Sequence, residues 1–312
     1  MKILFMGTPE FAVPSLTLIY ESAHELVGVV TAPDKPVGRG LKIKPSPIKQ
    51  KALEFDLQLF QPIDLKDSEF SPEIRKLNPD LFVVVAFRIL PPEVFELPPQ
   101  GTINLHSSLL PKYRGAAPIN WAIINGEKET GVTTIMIQQK VDTGDIILQK
   151  KVQIGDDETA GELHDKLANL GAELLLESIN LIAAGNASPK IQTGTGTKAP
   201  KLTKELGLIN WDEPSGQIRN LIRGLNPYPG AYTFLNSKLI KLFRAQLIEN
   251  SNSDQRPGEI TGVDPKNGLI QIATGSGNLQ VTELQPEGKR RLTAAEYLKG
   301  YQLKVGDKFG PK

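Results

Sequence analysis

Over the first two-thirds of the chain the hydrophobic positions alternate between two rhythms. Residues 2–6 and 25–31 form apolar runs of strand length, and residues 10–20 between them carry apolar positions at helical spacing. Residues 81–86, Leu-Phe-Val-Val-Val-Ala, are apolar without a break. That is the pattern of a central parallel strand covered on both faces. Residues 117–125 and 160–184 predict helices, and residues 132–137 and 146–154 predict further strands, the last two as a ribbon. Strands alternating with helices predict a doubly wound, Rossmann-like α/β domain with its site at the carboxyl ends of the strands.

The rhythm changes after residue 185. Residues 185–200 are rich in Gly, Thr, Ser and Pro, with Thr193-Gly194-Thr195-Gly196-Thr197 at their centre, and read as connecting chain. Beyond them come short alternating runs at 238–248, 258–263, 269–273 and 279–284, broken by Gly, Pro and Asn. This spacing predicts a small closed β-barrel, and its positive charge is compatible with one of the oligonucleotide-binding (OB-like) kind. The expected organisation is therefore a catalytic domain over 1–189, a linker over 190–206 and an OB-like domain over 207–312. A chain of 312 residues is long enough for both domains.

Composition removes several kinds of chemistry. There is no Cys, so thiol nucleophiles, disulfides and thiolate metal sites are absent. His occurs three times, at His24, His106 and His164, without clustering, and no metal site is expected. No apolar run approaches the ~20 residues that cross a bilayer. Met1-Lys2-Ile3 leads directly into a strand, so no targeting peptide is expected and a cytoplasmic protein is. Gly7-Thr8-Pro9 lacks the glycine pattern that lets a backbone approach a pyrophosphate, which argues against a nicotinamide enzyme. A phosphate-binding Gly-x-x-x-x-Gly-Lys-Ser/Thr loop is also missing.

The most telling segment is Asn104-Leu105-His106-Ser107-Ser108-Leu109-Leu110-Pro111, followed downstream by Val141-Asp142-Thr143-Gly144-Asp145. Residues two apart on a strand share a face, so Asn104 and His106 present an amide and an imidazole side by side. That pair suits a reaction in which a carbonyl oxygen becomes an oxyanion. Asp142 is expected to orient the ring and fix its tautomer, with Asp145 as the rival carboxylate.

These residues resemble the folate-dependent formyltransferases, whose motif is Asn-x-His-x-Ser-Leu-Leu-Pro with a downstream Asp-x-Gly. The resemblance extends to Lys2-Ile3-Leu4-Phe5-Met6-Gly7-Thr8-Pro9-Glu10-Phe11-Ala12, to Tyr113-Arg114-Gly115-Ala116-Ala117-Pro118-Ile119, and to Leu225-Asn226-Pro227-Tyr228-Pro229-Gly230. It implies 10-formyltetrahydrofolate as co-substrate and Asn104, His106 and Asp142 as the catalytic trio. It also implies a folate wall of Phe87, Arg88, Ile89 and Leu90 with Ser108, Leu109, Leu110 and Pro111. In one place the chain departs from the family, carrying bulky Arg88 where a Tyr-Gly pair is commoner.

Charge bears on the acceptor. Residues 34–51 hold six basic side chains and one acid, interrupted by Gly38, Gly40, Pro36, Pro45 and Pro47, and predict an exposed loop on the rim of the site. Residues 207–312 carry 14 Lys and Arg against 10 Asp and Glu, whereas residues 1–206 carry 22 against 25. Within the resembling family a loop of the first type wedges into the acceptor end of tRNA. Arg39, Lys42 and Lys44 are the expected contacts there, with Lys289, Arg290 and Arg291 on the barrel. The acceptor implied is initiator methionyl-tRNA, acted on by a monomer. The alternatives are a formyltransferase acting on a nucleotide or amino sugar, a formyl-folate hydrolase, and a tRNA-binding module without activity.

Overall fold

The computed structural model describes residues 1–37, 42–248 and 255–310. The chain divides into two compact units. The first comprises Met1–Ala116, Thr130–Val152 and His164–Ala199; the second comprises Ala117–Glu129, Gln153–Leu163 and Pro200–Lys312.

In the first unit the strands are β1 (Lys2–Gly7), β2 (Glu25–Val30), β3 (Lys35–Val37), β4 (Lys42–Lys44), β5 (Leu59–Phe60), β6 (Leu81–Val85) and β7 (Thr102–His106). They are followed by β8 (Arg114–Gly115), β9 (Glu129–Met136), β10 (Ile146–Gln153) and β11 (Lys198–Ala199). The main sheet has the order β10-β9-β7-β6-β1-β2-β5. From central β1 the chain winds outward through β2 to β5, then returns to build β6 and β7 on the other side. These strands pair in parallel, while β9 runs antiparallel to β7. All five residues of β6 are buried, as its unbroken apolar run requires.

The helices α1 (Val13–Tyr20), α2 (Pro47–Glu54), α3 (Phe70–Lys76) and α4 (Pro92–Phe95) connect these strands. Pro47 at the first turn of α2 lacks the amide that a helix start leaves unpaired, and the Ser46 hydroxyl satisfies that of the third helical residue by accepting from Lys49 N–H at 3.0 Å. Residues 10–20 begin as a 3₁₀ turn over Glu10–Ala12 and become α-helical only from Val13.

Helices α5 (Pro118–Ile124), α6 (Ala160–Ala183), α7 (Ser215–Gly224) and α8 (Ala294–Gly300) complete the helical set. The strands of the second unit are β12 (Ala231–Leu235), β13 (Lys238–Ile248), β14 (Ile260–Asp264), β15 (Leu269–Ala273), β16 (Asn278–Pro286), β17 (Leu292–Thr293) and β18 (Phe309–Gly310). They form an antiparallel sheet in the order β14-β15-β16-β13-β12-β18, with β17 on β16. Phe309 N–H donates to Gly258 O at 2.7 Å and Ile260 N–H to Asp307 O at 2.8 Å, so the last strand meets the first and the sheet closes. Closure removes the unpaired edges that an open sheet exposes. Trp211, Leu242, Ile260, Ile272, Leu279 and Phe309 fill its interior. Among the described residues no helix is long and apolar enough to cross a membrane.

Candidate active site

Asn104 and His106 lie on β7, between β6 and β9; Asn104 pairs with Val84 on one side and Ile135 on the other. The strand period puts both side chains on one face. His106 is only 6% exposed. Its Nε2 sits 2.9 Å from the Tyr113 carbonyl oxygen. A carbonyl only accepts, so Nε2 carries the hydrogen and Nδ1 faces Asp142 Oδ1 at 3.7 Å. The ring's tautomer is thus set by the Tyr113 backbone and not, as the sequence suggested, by Asp142.

Asp142 is held separately. Its Oδ2 accepts from the Gly115 N–H at 2.9 Å, and its backbone is left-handed, with φ 55°. Asp tolerates that region better than most side chains do, yet it needs support from its surroundings. Two glycines allow the approach. A Cβ on Gly115 would stand 2.6 Å from Ala199 O, and one on Gly144 would stand 1.6 Å from Met136 O. Gly115 also has φ 123°, which a side chain rarely adopts.

A cleft of about 580 Å³, counting space open to solvent, lies at the carboxyl ends of β6 and β7. Its wall contains Asn104, Asp142 and the expected Phe87, Arg88, Ile89 and Leu90. His106 is not part of that wall and stands behind Asp142. Sequence reasoning missed the opposite side, formed by Ile135, Ile137 and residues 138–141. Its one signal was that this segment leads into Val141-Asp142. Its apolar lining with a few polar groups is the character of a small-molecule site.

Residues 108–111 do not line this cleft. The Ser108 hydroxyl is fully buried and donates to Lys112 O at 2.6 Å. Leu110 N–H donates to Thr133 Oγ1 at 3.2 Å, and Leu110 O accepts from Gln149 Nε2 at 2.8 Å. Leu109 packs over Gly131, and Pro111 O accepts from Thr197 N–H at 3.3 Å. The Ser-Leu-Leu-Pro run therefore braces the turn that presents the Tyr113 carbonyl to His106.

Arg88 has a defined task as well. Its Nη1 donates to Ile63 O at 2.9 Å and Nη2 to Pro62 O at 2.8 Å, clamping residues 62–63 to the rim. Burial pulls its pKa down, opposed by Asp64.

The basic residues divide into paired and unpaired groups. Residues 35–37 and 42–44 form a two-stranded ribbon that sets Lys35 opposite Lys44. Arg39 and the Lys42 side chain lie outside the described residues. Lys49 meets Asp34 at 2.6 Å, and Lys51 meets Glu54 at 2.9 Å. Hydrogen bonds from Lys49 and Gln61 hold the Asp34 carboxyl below its ordinary value. On the barrel, Arg290 pairs with Glu296 at 2.7 Å. Arg291 pairs with Glu283 and lies 4.2 Å over the Phe243 ring. Among the described residues, Lys289 has no ion pair, and no three His, Cys, Asp or Glu side chains converge as a metal-ligand group.

Comparison with known proteins places this architecture. The profile of the Formyl transferase family matches residues 1–179, and that of the Formyl transferase, C-terminal domain, matches residues 201–302. The chain is 46% identical over 311 residues to a methionyl-tRNA formyltransferase of Pelotomaculum thermopropionicum, covering 99% of each. It is 48% identical to one of Alkaliphilus oremlandii, covering 99% of this chain and all of the other. A solved structure of HypX from Aquifex aeolicus in complex with tetrahydrofolic acid superposes with a TM-score of 0.67 at 21% identity. It covers 99% of this chain and half of that one, and shows the shared fold. With both of its parts matched by profiles and relatives alike along the full length, this chain belongs to the formyl transferase family.

Proposed function

We propose that this chain transfers the formyl group of 10-formyltetrahydrofolate to the α-amine of initiator methionyl-tRNA. The observation that carries the reading is the cleft whose wall joins the Asn104 amide, the Asp142 carboxylate and the apolar Phe87 and Leu90. The choice of acceptor is supported by full-length relatives, 46–48% identical, that bear the name methionyl-tRNA formyltransferase.

In the proposed reaction the neutral amine attacks the formyl carbon. An ordinary α-amine has a pKa of about 7.7–8.0, so a useful fraction is uncharged at pH 7. A carbon–nitrogen bond forms to the amine, and the formyl oxygen takes on negative charge. Among the described residues the Asn104 side chain has no hydrogen-bond partner, so its N–H groups are available to that oxygen without first breaking a bond. Such donors act most strongly where water is excluded. The bond from the carbon to the folate nitrogen then breaks. The surplus proton of the amine leaves through Asp142, and the departing nitrogen takes up a proton in return.

His106 acts from behind. With Nε2–H committed to Tyr113 O, it is Nδ1 that can exchange a proton with Asp142. The 3.7 Å separation is longer than a hydrogen bond, and separations of this kind shorten when substrate fills a site. The folate wall is Phe87, Arg88, Ile89 and Leu90, joined by Ile135 and Ile137. Lys35, Lys44 and Lys289 are the described basic side chains best suited to RNA phosphates, and Arg39 and Lys42 are the further contacts proposed from the sequence.

The deciding experiment offers the purified chain 10-formyltetrahydrofolate with charged initiator tRNA, an amino-sugar nucleotide, a glycinamide nucleotide or water alone. Formyl transfer to the tRNA at least about tenfold faster than to the other acceptors is expected, a gap of one decade in kcat/KM. Preference for a small acceptor, or hydrolysis alone, would overturn the assignment.

A further inference from the structure

Residues 190–199 read as connecting chain in the sequence, yet they are bonded tightly into the first unit. Lys190 pairs with Ile146 through two backbone hydrogen bonds of 2.8 Å. Lys198 and Ala199 form β11 along β8. Thr197 accepts from Tyr113 N–H through its hydroxyl at 2.8 Å and from Arg114 N–H through its carbonyl at 2.9 Å. Between these anchors lies Gln192, whose side chain makes three hydrogen bonds. Its Nε2 donates to Asp142 O at 2.9 Å and to Gly144 O at 2.8 Å, and its Oε1 accepts from Arg114 Nη2 at 2.6 Å.

We infer that Gln192 is a positioning residue for the reaction, acting through Asp142. The inference rests on the reading of Asn104, His106 and Asp142 as the centre of formyl transfer.

Asp142 has little of its own to hold it in place. Its left-handed backbone has no strand or helix to enforce it. Its carboxylate takes direction from a single backbone amide, that of Gly115, which belongs to a different loop. The two loops must therefore keep a fixed separation. Gln192 spans them, with its amide hydrogens on the carbonyls of the 142–144 turn and its oxygen on the side chain next to Gly115. A primary amide offers two donors and an acceptor on one rigid plane, and here all are used. Glu would keep the bond to Arg114 but turn acceptors toward both carbonyls. Leu would fill similar space and make none of the bonds.

Displacing a reacting group by about 1 Å can cost on the order of 10²-fold in rate. Gln192→Leu and Gln192→Glu should each lower kcat by about ten- to hundred-fold. The KM for the folate should stay within about twofold, because Gln192 is not part of the cleft wall. Asp142→Asn should lower kcat as well, and adding Gln192→Leu to it should cost almost nothing more, since groups acting as one unit do not multiply. A second readout is independent of activity. Amide exchange in peptides spanning 112–116 and 140–146 should rise in both Gln192 variants, while peptides spanning β1, β6 and β7 keep their protection.

Losses that multiply with Asp142→Asn, a raised folate KM with unchanged kcat, or turnover within twofold of the parent would overturn the inference. So would unchanged exchange in the two loops, or exchange that rises throughout the unit. If the parent chain itself transfers no formyl group, the functional reading fails, and the exchange pattern alone then decides whether Gln192 holds Asp142. If Gln192→Leu does not fold, Gln192→Glu carries the same comparisons.

Discussion

Asn104 and His106 sit two apart on one strand, but their surroundings give them different tasks. Asn104 is on the cleft wall with its side-chain amide unengaged among the described residues, whereas His106 is buried behind Asp142 and tied to Tyr113 O. Asn104→Ala should therefore lower kcat by about 10²–10³-fold, the usual cost of one oxyanion donor, with folate affinity little changed. Single-turnover rates beside equilibrium folate binding measure this directly, and near-parental turnover would remove Asn104 from the reaction. The pairing of Asn104 with His106 was legible because a strand's period is two and a five-residue strand leaves no choice of face. The tautomer was not legible, since it depends on a backbone carbonyl seven residues away that only the folded 107–113 turn brings back. Arg88 is similar. The sequence marked it as unusual, but its hydrogen bonds to Pro62 O and Ile63 O span some 25 residues and leave no local pattern. Arg88→Ala should free residues 62–63 and weaken folate binding several-fold, while kcat at saturation changes less; equal losses in both would argue that Arg88 acts on the chemistry.

At the scale of elements, the β-strands were clearest where burial is two-sided, as in β6, and least clear where pairing is distant. The far wall of the cleft comes from β9 and the residues after it, which reach the site only by pairing antiparallel with β7. No local periodicity announces such a partner. Composition also disguised residues 190–199, because Gly and Thr suit both a loose connection and a chain that must lie close against another loop. The turn at Gly144 can be tested by substitution. An added Cβ would press on the Met136 carbonyl, which is backbone and cannot swing aside. Gly144→Ala should cost about 1–3 kcal/mol of stability, as overpacking does, and should lower kcat by displacing Asp142; unchanged melting and turnover would contradict that geometry. Helix α8 gives a pH test. Thr293 and Glu296 form a capping box, and Arg290 with the Thr293 amide lowers the Glu296 pKa from 4.5 to about 2. A carboxyl lowered on folding stabilises the fold above its unfolded value and loses that contribution as pH falls through its folded value. Glu296→Gln keeps a capping residue but removes the charge. Its stability deficit should be full above pH 4.5 and should shrink toward nothing near pH 2; a deficit independent of pH would assign the effect to packing.

For the whole molecule the relevant quantity is free charge, which differs from the count of Lys and Arg. The sequence shows an acidic excess before residue 207 and a basic excess after it. In the fold, Lys49, Lys51, Arg290 and Arg291 are each paired with a carboxylate. To bind a phosphate, such a side chain must give up its partner or share it. Lys35 and Lys44 on the ribbon, and Lys289 on the barrel, have no such partner among the described residues. Counterion release should follow these three. Neutralising Lys35 and Lys44 together, with Lys289 neutralised separately, should flatten the log–log dependence of tRNA binding on salt by roughly 0.7–0.9 for each phosphate left without its cation. Neutralising Arg290 and Arg291 should instead lower the stability of the barrel, where Arg291 also covers the Phe243 ring, and leave the salt slope nearly as it was. Arg39→Ala should impair formylation of full-length tRNA more than that of a short aminoacyl fragment, because the basic segment 34–51 is expected to touch RNA beyond the terminal residue. Binding measured between about 50 and 200 mM salt, the range over which phosphate interactions weigh heavily, separates these cases. If the Arg290 and Arg291 pair changes the slope as much as the lysines do, their carboxylate partners yield to RNA, and the barrel's electrostatic face is broader than its free charges indicate.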